Sequence, residues 1–416
     1  MSEAFTNFMA GSPLNRLSWL RPSHSFLNAV IVSPATRWIL FNGGQPLVAS
    51  HPGTQKRSLA LLTTEDVMPL VGAGPFFGQC EQEGENSTPD VPALEAARVR
   101  GPTIVFLGLQ EAETSESALP SSDFKDPHSA VEKLDGSSYF SVDVADLDEN
   151  KVNAAVENTG LAKDGSTLTF LEPRAAMSSL DVRFAAIFAE ARSMVDWNQR
   201  NKFCPACGSP VYSLWAGWKL GCTSLLPWAD NTDRKPCPSG RGLNNFSHPR
   251  TDPVVIMLAI DESGEKILLG RNKKFPGRFY SALAGFVEPG ESFEDAVKRE
   301  MWEEAGVKVW DIRYHSGQPW PYPANLMIGY YATADSSAPI RTDLDNELED
   351  ARWYTREEVL AVLRHARGTI NNDSEPPFKI PSPTAIAGVL IQHWAEGKGK
   401  IQLDAGASAT TAKAFE

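Results

Sequence analysis

The chain has 416 residues, enough for two or three domains, and its 42% hydrophobic and 22% charged content is that of a globular chain with a sizeable core. A formal net charge of −13 argues against a sequence-independent grip on long nucleic acid, which needs clustered Lys and Arg. Five cysteines, four of them in one metal-like cluster, do not make the disulfide framework of a secreted protein.

Along residues 1–190, apolar runs such as Arg37–Phe41 and Thr103–Gly108 alternate with polar loops at Glu81–Asp90 and Gln110–Pro127, which predicts a strand-rich α+β N-terminal domain. The stretch Phe26–Phe41 is broken by Asn28, Ser33, Pro34, Thr36 and Arg37 and falls short of the roughly 20 apolar residues of a membrane span. No basic start leads into an early apolar core, so no secretory leader is expected. Cys80 stands apart from the other cysteines, with nothing near it in sequence to lower its pKa, and reads as an unreactive thiol. Val182, Phe184, Ala185, Ile187, Phe188 and Met194 give Ser178–Asn201 a helical period.

Residues 191–250 carry Cys204-Pro-Ala-Cys207-Gly, then Cys222 and Cys237. The first pair is a knuckle in which Gly208 lets backbone amides turn toward two thiolates, the usual start of a structural Zn2+ site. The second pair is split by fourteen residues, which include Asp230, Asn231, Asp233, Arg234 and Lys235. Three readings stay open: a zinc ribbon with a loop inserted in its second knuckle, His248 as fourth ligand with Cys222 merely buried, or no metal at all.

From Asp252-Pro253 onward, Val254–Ile260 and Lys266–Gly270 read as strands joined by a turn at Asp261–Gly264, and Leu326–Thr333 as another strand. Helical patterns follow at Thr355–Ala366 and Thr384–Glu396. Between them, Ser292–Glu304 lacks Gly and Pro, opens on a Ser suited to an N-cap and is followed by Gly306, suited to a left-handed C-cap. Phe293, Ala296, Val297 and Met301 give this helix an apolar side, while Glu300, Glu303 and Glu304 at i, i+3 and i+4 share a face. Three unshielded carboxylates repel, and a hard divalent cation removes the repulsion. Gly317–Asn325, with three prolines and a Trp, predicts a stiff loop, unable to form a helix or a central strand. Asp343, Asp345, Glu347, Glu349 and Asp350 form a further acid group.

Gly285, Glu291, Arg299, Glu300, Met301, Glu303, Glu304, Gly306 and Val307 fall at the spacing of the Nudix box, and Gly317–Asn325 is similar to the NADH pyrophosphatase signature, with Gly317, Tyr322 and Asn325 departing from it. The resemblance implies an α/β fold, a Nudix α/β/α sandwich over 251–400, preceded by the 1–190 domain and the ribbon and followed by a tail at 401–416. It implies hydrolysis of NADH or NAD+ to nicotinamide mononucleotide and AMP, with Glu300, Glu303, Glu304 and Glu347 holding Mg2+ or Mn2+. Glu303, Glu304 and Glu347 are alternative proton acceptors, and Arg299 is an ion-pair partner orienting Glu291 or Glu303. Phe286, Gln318, Trp320, Tyr322, Asn325 and the backbone near Ala387 are the implied substrate contacts. Cys204, Cys207, Cys222 and Cys237 are implied to hold a structural Zn2+.

Removal of an NAD cap from RNA by the same site is a competing reading, and a non-catalytic dinucleotide-binding regulator another. The resemblance also implies a homodimer. Peroxisomal residence is common among similar fungal proteins, yet the end Ala414-Phe415-Glu416 is no Ser-Lys-Leu-type address, which favours the cytoplasm.

Overall fold

The computed structural model describes residues 5–53, 57–79, 95–112, 131, 134–177, 179–226, 228–241, 244–275, 277–366 and 376–398. Cys80, Glu81–Asp90, most of Gln110–Pro127 and the tail at 401–416 lie outside the described residues. The chain divides into two units: Phe8–Asp252 with Pro319–Leu326, and Met1–Asn7 with Pro253–Gln318 and Met327–Glu416.

In the first unit, β1 (Leu14–Asn15), β2 (Arg37–Asn42), β3 (Gln45–Ser50), β4 (Arg57–Leu59), β5 (Leu61–Leu62), β6 (Ile104–Glu111), β7 (Gly136–Asp143) and β8 (Thr167–Phe170) form one sheet. Its order is β1-β6-β7-β2-β3-β4, with β5 on β2 and β8 on β3, and β2 runs parallel to β7. Because successive strand residues face opposite ways, Trp38 and Leu40 enter one core with Phe106 and Phe140, while Ile39 and Phe41 enter another with Val105 and Leu107. Both faces are therefore covered, which is why these strands read as continuous apolar runs. The helix Val182–Arg200 closes the second face through Ile187, Phe188, Met194 and Val195. A boundary at residue 190 falls inside that helix, and the ribbon begins only after it. β9 (Val211–Leu214) pairs with β10 (Lys219–Cys222) to make the ribbon's hairpin.

The second unit holds β11 (Asp252–Asp261), β12 (Lys266–Asn272), β13 (Leu283–Phe286), β14 (Val309–Trp320), β15 (Asn325–Ala334) and β16 (Leu348–Thr355), in the order β14-β15-β11-β12-β16 with β13 on β11. Ile256, Leu258, Ile267 and Leu269 face the helices Arg356–Ala366 and Ile386–Ala395 through Val359, Val362, Leu390 and Ile391. The alternate residues Val255, Met257 and Leu268 are buried too, and the helix Phe293–Ala305 lies beside β13 and β16. Helices on both sides of the sheet make the α/β/α sandwich.

Gly317–Trp320 is not the loop that its composition predicts. β14 runs on through Pro319 to Trp320, and only 321–324 turn. The physical reason is position: β14 is an edge strand, where a residue without N–H leaves no ladder bond unmade. Among the described residues no helix is long and apolar enough to cross a membrane.

Candidate active site

The acid-bearing helix has both ends fixed by local chemistry. The Ser292 hydroxyl accepts from the Asp295 N–H, and the Asp295 carboxylate accepts from the Ser292 N–H, a reciprocal cap. Gly306 ends the helix at φ +65°, in the left-handed region. Ala296, Val297, Met301 and Ala305 bury one side and so set the rotation that carries the acids. Phe293, expected on the apolar side, is 41% exposed, because it lies in the first turn beyond the sheet's cover.

Arg299 organises the face. Its Nε donates to Glu291 Oε1 at 2.5 Å and its Nη2 to Glu291 Oε2 at 3.0 Å, a fork on one carboxylate. Its Nη1 donates to Glu300 Oε1 at 2.9 Å and to Glu303 Oε2 at 3.0 Å, and Nη2 also reaches the Phe286 carbonyl at 2.8 Å. These bonds hold Glu291 below the usual carboxylate range and raise the guanidinium above its own. Glu300 lies over Gly285, where a Cβ would stand 1.8 Å from the Glu300 Cδ, so only glycine lets the carboxylate sit there. Burial pushes Glu300 up, opposed by Arg299.

Glu304 is buried, and its Oε1 has no hydrogen-bond partner. Burial first, then the charges of Glu300, Glu347 and Asp345, push its carboxyl up to about 9. A buried carboxylate oxygen without a donor, surrounded by other carboxylates, is costly unless a cation completes it. This donor set fits a hard divalent ion. Glu347 approaches from β16 and is itself held: its Oε1 accepts from Asn272 Nδ2 at 3.0 Å. The neighbouring acids are engaged elsewhere, Asp343 with Arg341 at 3.0 Å and Glu349 with Arg271 at 3.0 Å, while Asp350 pairs with Arg352 and Tyr280.

Asn272 carries no motif signal. It meets Glu347 because β12 pairs antiparallel with β16, with a register shift between Arg271 and Asn272 that sets Asn272 opposite Leu348. Only knowledge of that register would have singled it out.

The expected substrate contacts are distributed over both units. Phe286 is 57% exposed at the end of β13. Gln318 is buried with its carboxamide engaged, donating to Thr384 O at 2.9 Å and accepting from Ile386 N at 2.8 Å, so it fixes the start of the helix Ile386–Ala395. Ala387 is buried in the apolar core one residue further on. Trp320 and Tyr322 belong to the first unit, where Trp320 packs with Met177, Ala185 and Ala189. The Tyr322 hydroxyl donates to Pro173 O at 3.4 Å, and Arg174 stacks 4.8 Å over its ring. The Asn325 Oδ1 is buried without a hydrogen-bond partner.

The cysteine sulfurs of 204, 207, 222 and 237 all lie within 4.8 Å of one another, with Cys204 to Cys237 at 3.7 Å and Cys207 to Cys222 at 3.4 Å. Sulfurs about 2.3 Å from a tetrahedral zinc stand about 3.8 Å apart, so the cluster fits a four-thiolate site with no open position. His248 packs instead on Trp215, ring centroids 5.4 Å apart. Among the described residues this is the single group of metal-ligand atoms gathered so tightly; Glu291, Glu300 and Glu303 are spread on Arg299.

Residues 250–372 match the NUDIX domain family, and residues 35–197 match the NADH pyrophosphatase-like rudimentary NUDIX domain. The chain is 32% identical to the NAD-capped RNA hydrolase of Schizosaccharomyces pombe, over 94% of this chain and 93% of that protein. It is 29% identical to the NAD-capped RNA hydrolase NPY1 of Saccharomyces cerevisiae, over 95% and 97%. With the human NAD-capped RNA hydrolase NUDT12 it shares 46% identity over 53% of this chain and 44% of that protein.

Proposed function

From a chain that belongs to the Nudix hydrolase family, in its NADH pyrophosphatase branch, we propose a hydrolase that cleaves the pyrophosphate of NAD at the 5′ end of RNA, releasing nicotinamide mononucleotide and leaving a 5′-monophosphate. The observation that carries the chemistry is the buried, partnerless Glu304 oxygen among Glu300 and Glu347. The preference for the cap over free NADH, the substrate first expected from the sequence, is supported by two yeast relatives matched over nearly their whole lengths.

Glu300, Glu303, Glu304 and Glu347 would hold Mg2+ or Mn2+, which would neutralise charge on the pyrophosphate and lower the pKa of a water. Arg299 keeps Glu300 and Glu303 splayed toward one guanidinium while Gly285 leaves room for Glu300. The proton of the attacking water needs an acceptor open to solvent. Glu303, half-exposed, and Glu347, exposed, meet this need; Glu304 is buried and suits ligation. Phe286, exposed at the edge of the acid face, offers a ring on which a base or nicotinamide can stack.

The test is purified protein with Mg2+ or Mn2+, given NAD-capped RNA and NADH side by side, with products separated by chromatography. The expected result is nicotinamide mononucleotide from both, with the larger kcat/KM on capped RNA. Glu303→Gln should retain the fold and lose activity by more than the roughly 10–100-fold typical of residues that only support a metal ligand. Full metal-dependent turnover in that variant would sink the site assignment, and cleavage of NADH alone would return the substrate to the free dinucleotide.

A further inference from the structure

We propose that the exposed side chains Lys274, Phe275 and Arg278, on the loop between β12 and β13, form the track for the first nucleotides of single-stranded RNA behind the cap. This rests on reading the acid cluster as a cap hydrolase. The chain as a whole is acidic, at −13, yet residues 271–278 hold Arg271, Lys273, Lys274 and Arg278 with no acid among them. Two of these cations are occupied. Arg271 pairs with Glu349 at 3.0 Å, and the Lys273 Nζ donates to the backbone and side-chain oxygens of Asn346 at 2.7 and 2.5 Å. Among the described residues Lys274 has no carboxylate partner, and Arg278 donates to a carbonyl, Pro377 O at 3.5 Å.

Between these two charges stands Phe275, 37% exposed, which meets Phe279 edge to face at 5.2 Å and 85°. That contact props the ring without covering both of its faces. Cations interleaved with an exposed aromatic ring are the chemistry by which single strands are held: phosphates on the charges and a base on the ring. Both ends of the loop are tied. Its near end is tied by Phe275 N to Asn272 O and by Lys274 N to Asn272 Oδ1, each at 2.9 Å. Its far end is tied by Tyr280 N to Lys379 O and by Lys379 N to Arg278 O, each at 2.8 Å. A surface already ordered loses little entropy when a flexible strand binds.

Location decides what the strand is. Asn272 caps the loop with its Oδ1 and holds Glu347 with its Nδ2, and the Glu347 charge is felt by both Glu300 and Glu304. The track therefore starts at the wall of the acid cluster, where RNA continuing from a scissile pyrophosphate would emerge. Free NADH has no chain beyond its adenosine and does not need the loop.

The experiment compares wild type, Lys274→Glu/Arg278→Glu and Phe275→Ala on NAD-capped RNA of about 20 nucleotides and on NADH, each over a range of salt. In the double variant two cations no longer neutralise RNA phosphates. The salt slope of log kcat/KM on capped RNA should then become shallower by about 1.4, using about 0.7 per neutralised phosphate for single strands. Capped-RNA kcat/KM at low salt should fall by about 10–100-fold in the double variant, and roughly 5–100-fold in Phe275→Ala, the range of one missing base stack. NADH hydrolysis should change less than about twofold in both variants, since a track for the RNA behind the cap is not used by the free dinucleotide. Unchanged cleavage and salt slope on capped RNA, with wild type active on it, would overturn the track alone. Equal losses on both substrates would also overturn it, assigning the loop to the integrity of the site. A wild type that cleaves NADH but no capped RNA would overturn the cap reading and the track together.

Discussion

The proposed role of Glu304 as a metal ligand ties the fold to the ion. Its carboxyl is held at about 9 by burial, against an ordinary value of 4.5, so the stability it contributes is complete below about 4.5 and is lost as pH rises through about 9. Metal-free protein should thus melt several degrees lower at pH 9 than at pH 6, and saturating Mg2+ should flatten that slope by favouring the carboxylate. Glu190 of the first unit, ion-paired to Arg16 at 2.7 Å and raised by burial to about 8, adds a slope of the same sign that Mg2+ does not remove. Melting curves with and without Mg2+ therefore isolate Glu304, and parallel curves would refute its role as ligand. Gly285 gives a second residue-scale prediction. Gly285→Ala forces Glu300 away from a site that its Cδ already fills, so turnover should drop at least about tenfold while the melting temperature of metal-free protein moves little. Wild-type turnover with Glu300 in place would contradict it.

At the scale of elements, much of the acid helix was legible in sequence because its determinants are local: Ser292 and Gly306 lie within one turn of the residues they cap. The end of β14, Gly317–Trp320, reads as loop in sequence because a proline is judged against its ladder, and edge position is a property of the whole sheet. Glu347 was nameable from its resemblance, whereas its support by Asn272 depends on a bulged register between strands about 75 residues apart, a distance no local pattern spans. The ribbon lies between these cases. Cys204 and Cys207 announce themselves by spacing, while Cys237 is brought in by the return of a fourteen-residue loop. If the four thiolates hold zinc, Cys222→Ser should lose it and render 201–250 sensitive to protease, while His248→Ala should keep the metal; zinc content by atomic absorption decides between them. Zinc retained in the serine variant and lost in the alanine variant would restore His248 as ligand.

At the scale of the molecule, two regions match Nudix-type domains, but only the second carries box acids; residues 35–197 contain no Gly, five residues, Glu, seven residues, Arg-Glu pattern. The first sheet keeps an apolar two-faced core without that chemistry, which is why its function could not be read from sequence while its strands could. The hairpin of β14 and β15 is where the units meet along the chain: it is rooted in the second unit, and its tip, Pro319–Leu326, is counted with the first. Neither unit is therefore a contiguous gene segment. A truncated chain beginning at Pro253 would keep every box acid yet strip Trp320 and Tyr322 of Met177, Ala185 and Arg174, leaving two aromatic rings bare. Such a fragment should elute as aggregates in size-exclusion chromatography, and a soluble, active one would contradict this. The same thread limits shuffling: a recombination event that exchanged one unit would have to splice the chain at four points, so the pair is expected to be inherited as one block.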